Sequence, residues 1–461
     1  MPPRPLWSGK APWQSRDHQF CRSGHTGYLG YFMDRPSTAQ LAGSAMSQFY
    51  MIDKTCYRRR EESSMVRSFF LTNGWTEAAQ IDRADTIVYF ACSGLRFLAE
   101  EKMSEIEEIG SRMKPGADLI VGGCLPGMEH DRLRRRFAGR VITPTDFSAL
   151  NALSGVTTPI ETMPRIWGQE AACRQLIKPR FRAAVRMAAD DIVLRLLRFA
   201  IERKPARRLK DLALQLQRRN TASFSIAAGC SRRCAYCAKP FASGQVRSKP
   251  IDAVVQSIIE GVRLGYRAFD LYADSMGTYG HDQNVNLGNL LERILAIKMR
   301  FSIGLFDVHP LDFMRYFGQI KSLCHARKLH YIYVAVQSGN ERVLKSMKRP
   351  CNVQDLVAKL VEIRRYDGVF MQSGVIAGFP GESDEEFEDT LRLLRQVDFD
   401  NVYVHYYCDM PNTDASAMTN KVDKAAMLRR LDSVKNAGIR HNLAATQREW
   451  DSNLALPVLQ N

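Results

Sequence analysis

The stretch GCSRRCAYCAKP, residues 229–240, places Cys230, Cys234 and Cys237 within eight residues, with Tyr236 immediately before the third thiol. It continues SFSIAA, an apolar run that reads as a buried strand, so the three thiols sit on the loop leaving that strand. Three thiolates on one loop suit zinc or an iron–sulfur cluster. A structural zinc site takes four protein ligands, and no nearby His or Cys completes one. Three thiolates on a four-iron cube leave one iron open to a substrate or cofactor.

Downstream the same punctuation recurs. AFDLYAD, FSIGLFDV, YIYVAVQSG, FMQSGVIAGFPG and NVYVHYYCDM read as strands. IDAVVQSIIEGVRLG, NERVLKSMK, VQDLVAKLVEIRRY and DEEFEDTLRLLRQV read as the helices between them. Six strand–helix steps predict a partial (β/α)6 barrel over residues 221–430, with its site at the C-terminal ends of the strands. Residues 431–461 read as a C-terminal helix and tail, the helix being DKAAMLRRLDSVKNAGIRHNLAATQREW.

Upstream, residues 46–160 alternate in the same way. FYMI, TIVYFAC and DLIVGGC read as short buried strands, with EESSMVRSFFLTNG and AEEKMSEIEEIGSRMK as helices. The fold class is therefore α/β: a small parallel α/β domain followed by the partial barrel. Cys56, Cys92 and Cys124 each fall at or just past the C-terminal end of a strand, the edge where open parallel sheets bind ligands. A buried structural thiol is the ordinary reading of any one of them. Three in equivalent places argue for a shared ligand site.

Eleven cysteines in 461 residues, unevenly placed and with no secretory signal ahead of them, do not form a disulfide framework. A reducing, cytoplasmic setting is expected. No run approaches 18 uninterrupted apolar residues, so no membrane span is expected. The net charge is +16, and residues 174–219 hold 14 Lys/Arg against 4 Asp/Glu. That segment lies in a basic, mostly helical connector, 161–220, which reads either as a polyanion-binding patch or as a solvated helical face. Residues 1–45 carry five Lys/Arg and two Asp among Pro, Gly and Ser, and are expected to be disordered. A transit peptide and a true start at Met46 are the other readings of that stretch.

Residues 46–430 resemble the radical SAM methylthiotransferase family. GCSRRCAYCAKP matches its C-x3-C-x2-C loop with an aromatic before the third cysteine, and ADSMGTYG (273–280) stands where the family has a Gly-Gln-Asn-Val segment ending in Tyr-Gly. QSGNERVLKSMKR (337–349) is close to its Gln-Ser-Gly block, GFPGESDEEFEDT (378–390) is nearly verbatim, and Cys56, Cys92 and Cys124 match the upstream triad. The resemblance implies two [4Fe-4S] clusters. Cys230, Cys234 and Cys237 would hold the one whose open iron chelates S-adenosylmethionine and generates a 5′-deoxyadenosyl radical. Cys56, Cys92 and Cys124 would hold an auxiliary cluster that handles sulfur. It also implies an electron donor of flavodoxin or ferredoxin type. The product would be a methylthio group on an unactivated carbon. By the same resemblance Tyr236, Asp274, Ser275, Gln337, Ser338, Gly378, Gly381 and Glu382 are candidate cofactor contacts. Lys345 and Arg349 would meet the cofactor carboxylate or an anionic substrate, or else form a solvated helix face.

The chain also departs from the family's pattern. TCYRRREESS has neither the Gly before the first cysteine nor the Asn three residues after it. Ser243-Gly244 stands for Arg-Gly, Met410 for an Arg, Cys408 for a Ser, and Gly374 for the Asp ahead of Gly-Phe-Pro-Gly-Glu. These groups lie near strand ends, where substrate is read, and imply an altered substrate. Cys173, Cys324 and Cys351 read as ordinary thiols. The match ends near Arg430, leaving no room for the family's usual C-terminal β-barrel. Either the basic connector replaces that anchor for tRNA, or the substrate is a peptide, protein side chain or small molecule. Two other functions fit the residues. One is a radical SAM enzyme whose second cluster serves only electron transfer or substrate binding, on a peptide or small metabolite. The other is a basic nucleic-acid-binding module with structural metal.

Overall fold

The computed structural model describes residues 47–55, 59–93, 96–163, 181–203 and 220–442, with scattered positions from 209 to 217. The expectations for residues 1–45, for Cys56 and Cys173, and for the chain after residue 442 lie outside the described residues. Two sheets occur among the described residues. The first contains β1 (Gln48–Lys54), β2 (Thr76–Glu77), β3 (Thr86–Ala91), β4 (Asp118–Gly123) and β5 (Arg140–Val141), in the order β2-β1-β3-β4-β5 and parallel throughout. Every residue of β3 is buried, because both faces of the sheet are covered. Ile87, Tyr89 and Ala91 pack with Ala99, Met103 and Ile106 of helix Arg96–Arg112. Val88 and Phe90 pack with Val66, Phe69 and Phe70 of helix Arg60–Thr72.

The second sheet contains β6 (Thr221–Ala228), β7 (Arg247–Ser248), β8 (Ala268–Ala273), β9 (Ser302–Val308), β10 (Leu329–Gln337), β11 (Phe370–Ala377), β12 (Asn401–Tyr406) and β13 (His441–Asn442). Their order is β13-β12-β11-β10-β9-β8-β6-β7, and only the β6–β7 pair is antiparallel. The six long parallel strands are those read from the sequence, and they form an open, TIM-like half barrel. Its helices carry the expected punctuation. In Asp384–Val397, Ser383 and Glu386 form a reciprocal capping box, while Phe387, Leu391 and Leu394 face the core and Asp398 ends the helix in the left-handed region. Inside the barrel the ring of Phe306 stacks on Tyr331, and Tyr331 on Phe370. Beneath them His330 bridges Asp270 and Ser302 at 3.1 Å each. These side chains fill the middle of the barrel, and a cavity lined by the thiols opens at the strands' C-terminal ends.

One local expectation changes. The stretch from Asp423 does not form one long helix: it is helical over Lys424–Asn436, breaks at Gly438 with φ +66°, and returns as β13, where His441 and Asn442 pair with Val402 and Tyr403. The connector contains one described helix, Phe181–Arg203, which packs through Leu194 and Ile201 while Leu196 and Phe199 stay exposed. Among the described residues no helix is long and apolar enough to cross a membrane.

The two sheets meet through short elements that follow their cysteines. Helix Leu125–Met128, directly after Cys124, packs on helix Lys239–Ser243, two residues after Cys237. A Cβ added at Gly127 would lie 2.7 Å from the Ala242 Cα, so only glycine permits this approach. Cys124, Met128, Ala238, Ala242 and Met410 seal the contact as one apolar cluster. Lys249 reaches across to Glu61 at 2.7 Å.

Candidate active site

A cavity of about 330 Å³ opens between the C-terminal edge of the first sheet and the mouth of the half barrel. Cys92 and Cys124 line it from one side, and Cys230, Cys234 and Cys237 from the other. Backbone geometry sets each thiol. Cys92 follows the last residue of β3, and the Cys124 amide donates to Ala91 O at 3.1 Å. Gly229 takes φ +83° and presses so closely on the loop ahead of β7 that a Cβ would lie 2.0 Å from Gln245 O. The chain then turns through Cys230, whose amide donates to Gly244 O at 3.2 Å, and Ala235, whose amide donates to Met347 O at 3.0 Å. Arg59, three residues after Cys56, lines the same cavity.

Burial dominates the electrostatics. It pushes the Cys237 thiol up to about 11 and raises Cys230 as well. Arg349 is buried at these thiols: it donates from Nη1 to Cys234 Sγ at 3.3 Å and from Nη2 to Ala335 O at 2.7 Å. His309 accepts the Leu311 amide at Nδ1, which leaves the proton of the neutral ring on Nε2. Burial, then the charges of Arg349 and Arg232, hold this imidazole far below its usual range. Asp307 and Gln337, at the ends of β9 and β10, both line the cavity with positive φ, 58° and 67°. Non-glycine residues in that region carry strain, which gathers at functional sites. The β10 ladder also shifts register between Val334 and Gln337, re-aiming the strand end.

Of the residues expected at the site, Tyr236, Asp274, Ser275, Gln337 and Arg349 line the cavity, together with Cys408. Ser338, Gly378, Gly381 and Glu382 do not. The Ser338 hydroxyl faces Thr390, and Glu382 accepts from the Gly378 amide at 2.7 Å and from Arg430 at 2.9 Å. Gly378 and Gly381 take positive φ where a Cβ would strike Met427 and Asn420, so this turn is built for packing. Lys345 is on the exposed face of its helix, and Cys324 and Cys351 are buried elsewhere. Two departures from the family's pattern have local explanations. A Cβ at Gly374 would lie 2.2 Å from the Tyr333 hydroxyl, so Tyr333 fills the space of a side chain there. Met410 sits in the apolar contact between the two cysteine-bearing loops. Sequence reasoning missed Arg59 and His309; the only signal was a charged or polar residue just past an apolar strand.

The arrangement fits a cubic cluster with a polar ligand. No group of three or more His, Cys, Asp or Glu among the described residues closes on a single metal ion. Three thiols of one loop facing a cavity, with a buried guanidinium on one sulfur, suit an anionic thiolate-bound cluster. Gln337 Oε1 and Arg349 Nε are buried without a partner, ready for a ligand's polar groups.

The family model for the radical SAM superfamily matches residues 224–394, and that of uncharacterized protein family UPF0004 matches residues 48–143. The chain is 30% identical over 399 residues to the tRNA-2-methylthio-N(6)-dimethylallyladenosine synthase of Photobacterium profundum, covering 83% of this chain and 76% of that protein. It is 26% identical to the ribosomal protein uS12 methylthiotransferase RimO of Protochlamydia amoebophila, covering 84% and 76%. Among solved structures, the radical S-adenosylmethionine methyltransferase TsrM of Kitasatospora setae superposes with a TM-score of 0.53 at 13% identity, covering 81% and 77%. That last likeness is one of fold.

Proposed function

The chain belongs to the radical SAM methylthiotransferase family, enzymes that form a C–S bond, and from that premise we propose that it carries two [4Fe-4S] clusters and transfers a methylthio group to an unactivated carbon. The observation that carries this reading is the single cavity lined by thiols of both sheets. Cys230, Cys234 and Cys237 would hold one cluster, and Cys56, Cys92 and Cys124 would hold the other. When bound, these groups supply one-electron cleavage of S-adenosylmethionine and a transferable sulfur.

The chain's own residues prepare the cavity. Arg349 donates to Cys234 and offsets the charge of the thiolates. Tyr236, half-buried beside Arg349, forms an apolar wall, and the desolvation of its ring holds its hydroxyl protonated. Gln337 and the Nε of Arg349 offer an acceptor and a donor to a zwitterionic ligand. His309 offers a neutral N–H that stays unprotonated at its other nitrogen. Met128, Met410 and Ile376 exclude water from the rest of the cavity, which protects reactive intermediates from side reactions. The substrate is a macromolecule of the kinds the relatives' names specify, a tRNA adenosine or a ribosomal-protein side chain.

Anaerobic reconstitution tests the reading. The wild type should bind about eight irons, and Cys92→Ala/Cys124→Ala about four, each cluster being a four-iron cube. Four irons in both proteins would leave a single-cluster enzyme. Intact-mass analysis of incubated tRNA and ribosomal protein should then show one substrate gaining a methylthio group.

A further inference from the structure

Arg59 occupies the seam between the two sheets and is 2% exposed. Its Nη1 donates to Glu62 Oε1 at 2.9 Å, and its Nη2 to Asp274 Oδ2 at 2.9 Å and to the Ser243 hydroxyl. Asp274 Oδ2 also accepts the Gly229 amide at 2.9 Å, one residue before Cys230. Ser243 ends the helix that follows Cys237, and Gly244, next to it, accepts the Cys230 amide. One guanidinium, three residues past Cys56, therefore grips both flanks of the loop that carries Cys230, Cys234 and Cys237. Glu62, Asp274 and Ser243 are buried with it, and the charge of Arg247 acts on both carboxylates.

Three departures from the family's pattern coincide at this point. Arg59 stands at the position of the Asn, Ser243 at that of an Arg, and Asp274 at that of a Gln. By that resemblance, a guanidinium expected on the barrel loop is here supplied by the first domain, where it donates to the Ser243 hydroxyl. The planar fork of arginine is directional, so a pair held this way away from water fixes an orientation as well as a contact.

We propose that Arg59 is a positioning residue, a clamp that sets the separation and orientation of the two cysteine sets. Its functional half rests on the two-cluster reading; its structural half does not. The test compares Arg59→Asn, Ser243→Arg and the exchange variant Arg59→Asn/Ser243→Arg with the wild type. In the iron-free proteins, Arg59→Asn should lower the melting midpoint by several degrees, and the exchange should restore more than half of the loss. Additive losses overturn the clamp. In the reconstituted, dithionite-reduced enzymes with S-adenosylmethionine as the sole ligand, paramagnetic resonance reads spin coupling between the clusters without needing a substrate. Arg59→Asn should weaken that coupling at unchanged iron content, and the exchange should recover it. Unchanged coupling in Arg59→Asn at full iron loading overturns the positioning role, because a merely stabilising residue would alter melting alone. Should Arg59→Asn not fold, Arg59→Lys, which keeps the charge and loses the fork, enters the same comparison. A wild type that binds only four irons is the separate failure of the two-cluster reading, and the melting cycle still decides the structural half.

Discussion

At the scale of single residues, Arg349 donates to a thiol sulfur at the cavity, that of Cys234. A donor on a ligating sulfur withdraws electron density and makes a cluster easier to reduce. Arg349→Met should therefore move the midpoint potential of the barrel cluster to more negative values, by tens of millivolts, in a redox titration followed by paramagnetic resonance. Gly229 sets the loop in a different way. It needs φ +83°, and a side chain there meets Gln245 O. Gly229→Ala should cost about 1–3 kcal/mol or more and lower iron retention in the barrel loop before it affects the first domain. Chemical denaturation and iron counts read the two effects.

At the scale of elements, the turn Gly378–Glu382 is the residue block most like the family's, yet it points away from the cavity. Its work is to tie β11 to helix Lys424–Asn436 through Glu382 and Arg430, a pair 2.9 Å apart with almost no exposure on either side chain. Without the Glu382 carboxyl the buried Gly378 amide loses its acceptor while Arg430 keeps Asp384 at 2.9 Å, so Glu382→Ala should lose about 1–3 kcal/mol in urea unfolding. Lys345→Ala, on an exposed helix face, should leave both stability and iron content unchanged. The contrast shows which parts of the architecture are legible in a single chain. The six long strands of the barrel announce themselves because each is a run of apolar residues ended by glycine or a polar residue. The strands β7 and β13, two residues each, carry no such pattern, and β13 exists because Gly438 turns the chain back to the sheet. The cysteines are legible because thiol spacing is chemistry. The partners of Asp274 are not, since its cation lies 215 positions away in sequence. Likewise, the role of Gly374 becomes visible only with the ring of Tyr333 in place.

At the scale of the whole molecule, the two α/β layers act together only if their cysteine-bearing ends stay in register. A close backbone approach at that join is Gly127 against Ala242. Gly127→Val should force the two helices apart. Each layer should keep its own secondary structure in circular dichroism, the iron content should stay near that of the wild type, and methylthio product should fall more than tenfold. Retained activity would show that the join tolerates a wider spacing than the glycine enforces. The burial that raises Cys237 to about 11 has a further consequence for handling the protein. A sulfhydryl that keeps its proton is a poor nucleophile. In iron-free enzyme Cys237 should thus react slowly with iodoacetamide near neutrality, shielded chemically until an iron carrier arrives. Alkaline buffers, or urea that strips away the shelter, should turn the same sulfur into a quick target for alkylation and peroxide.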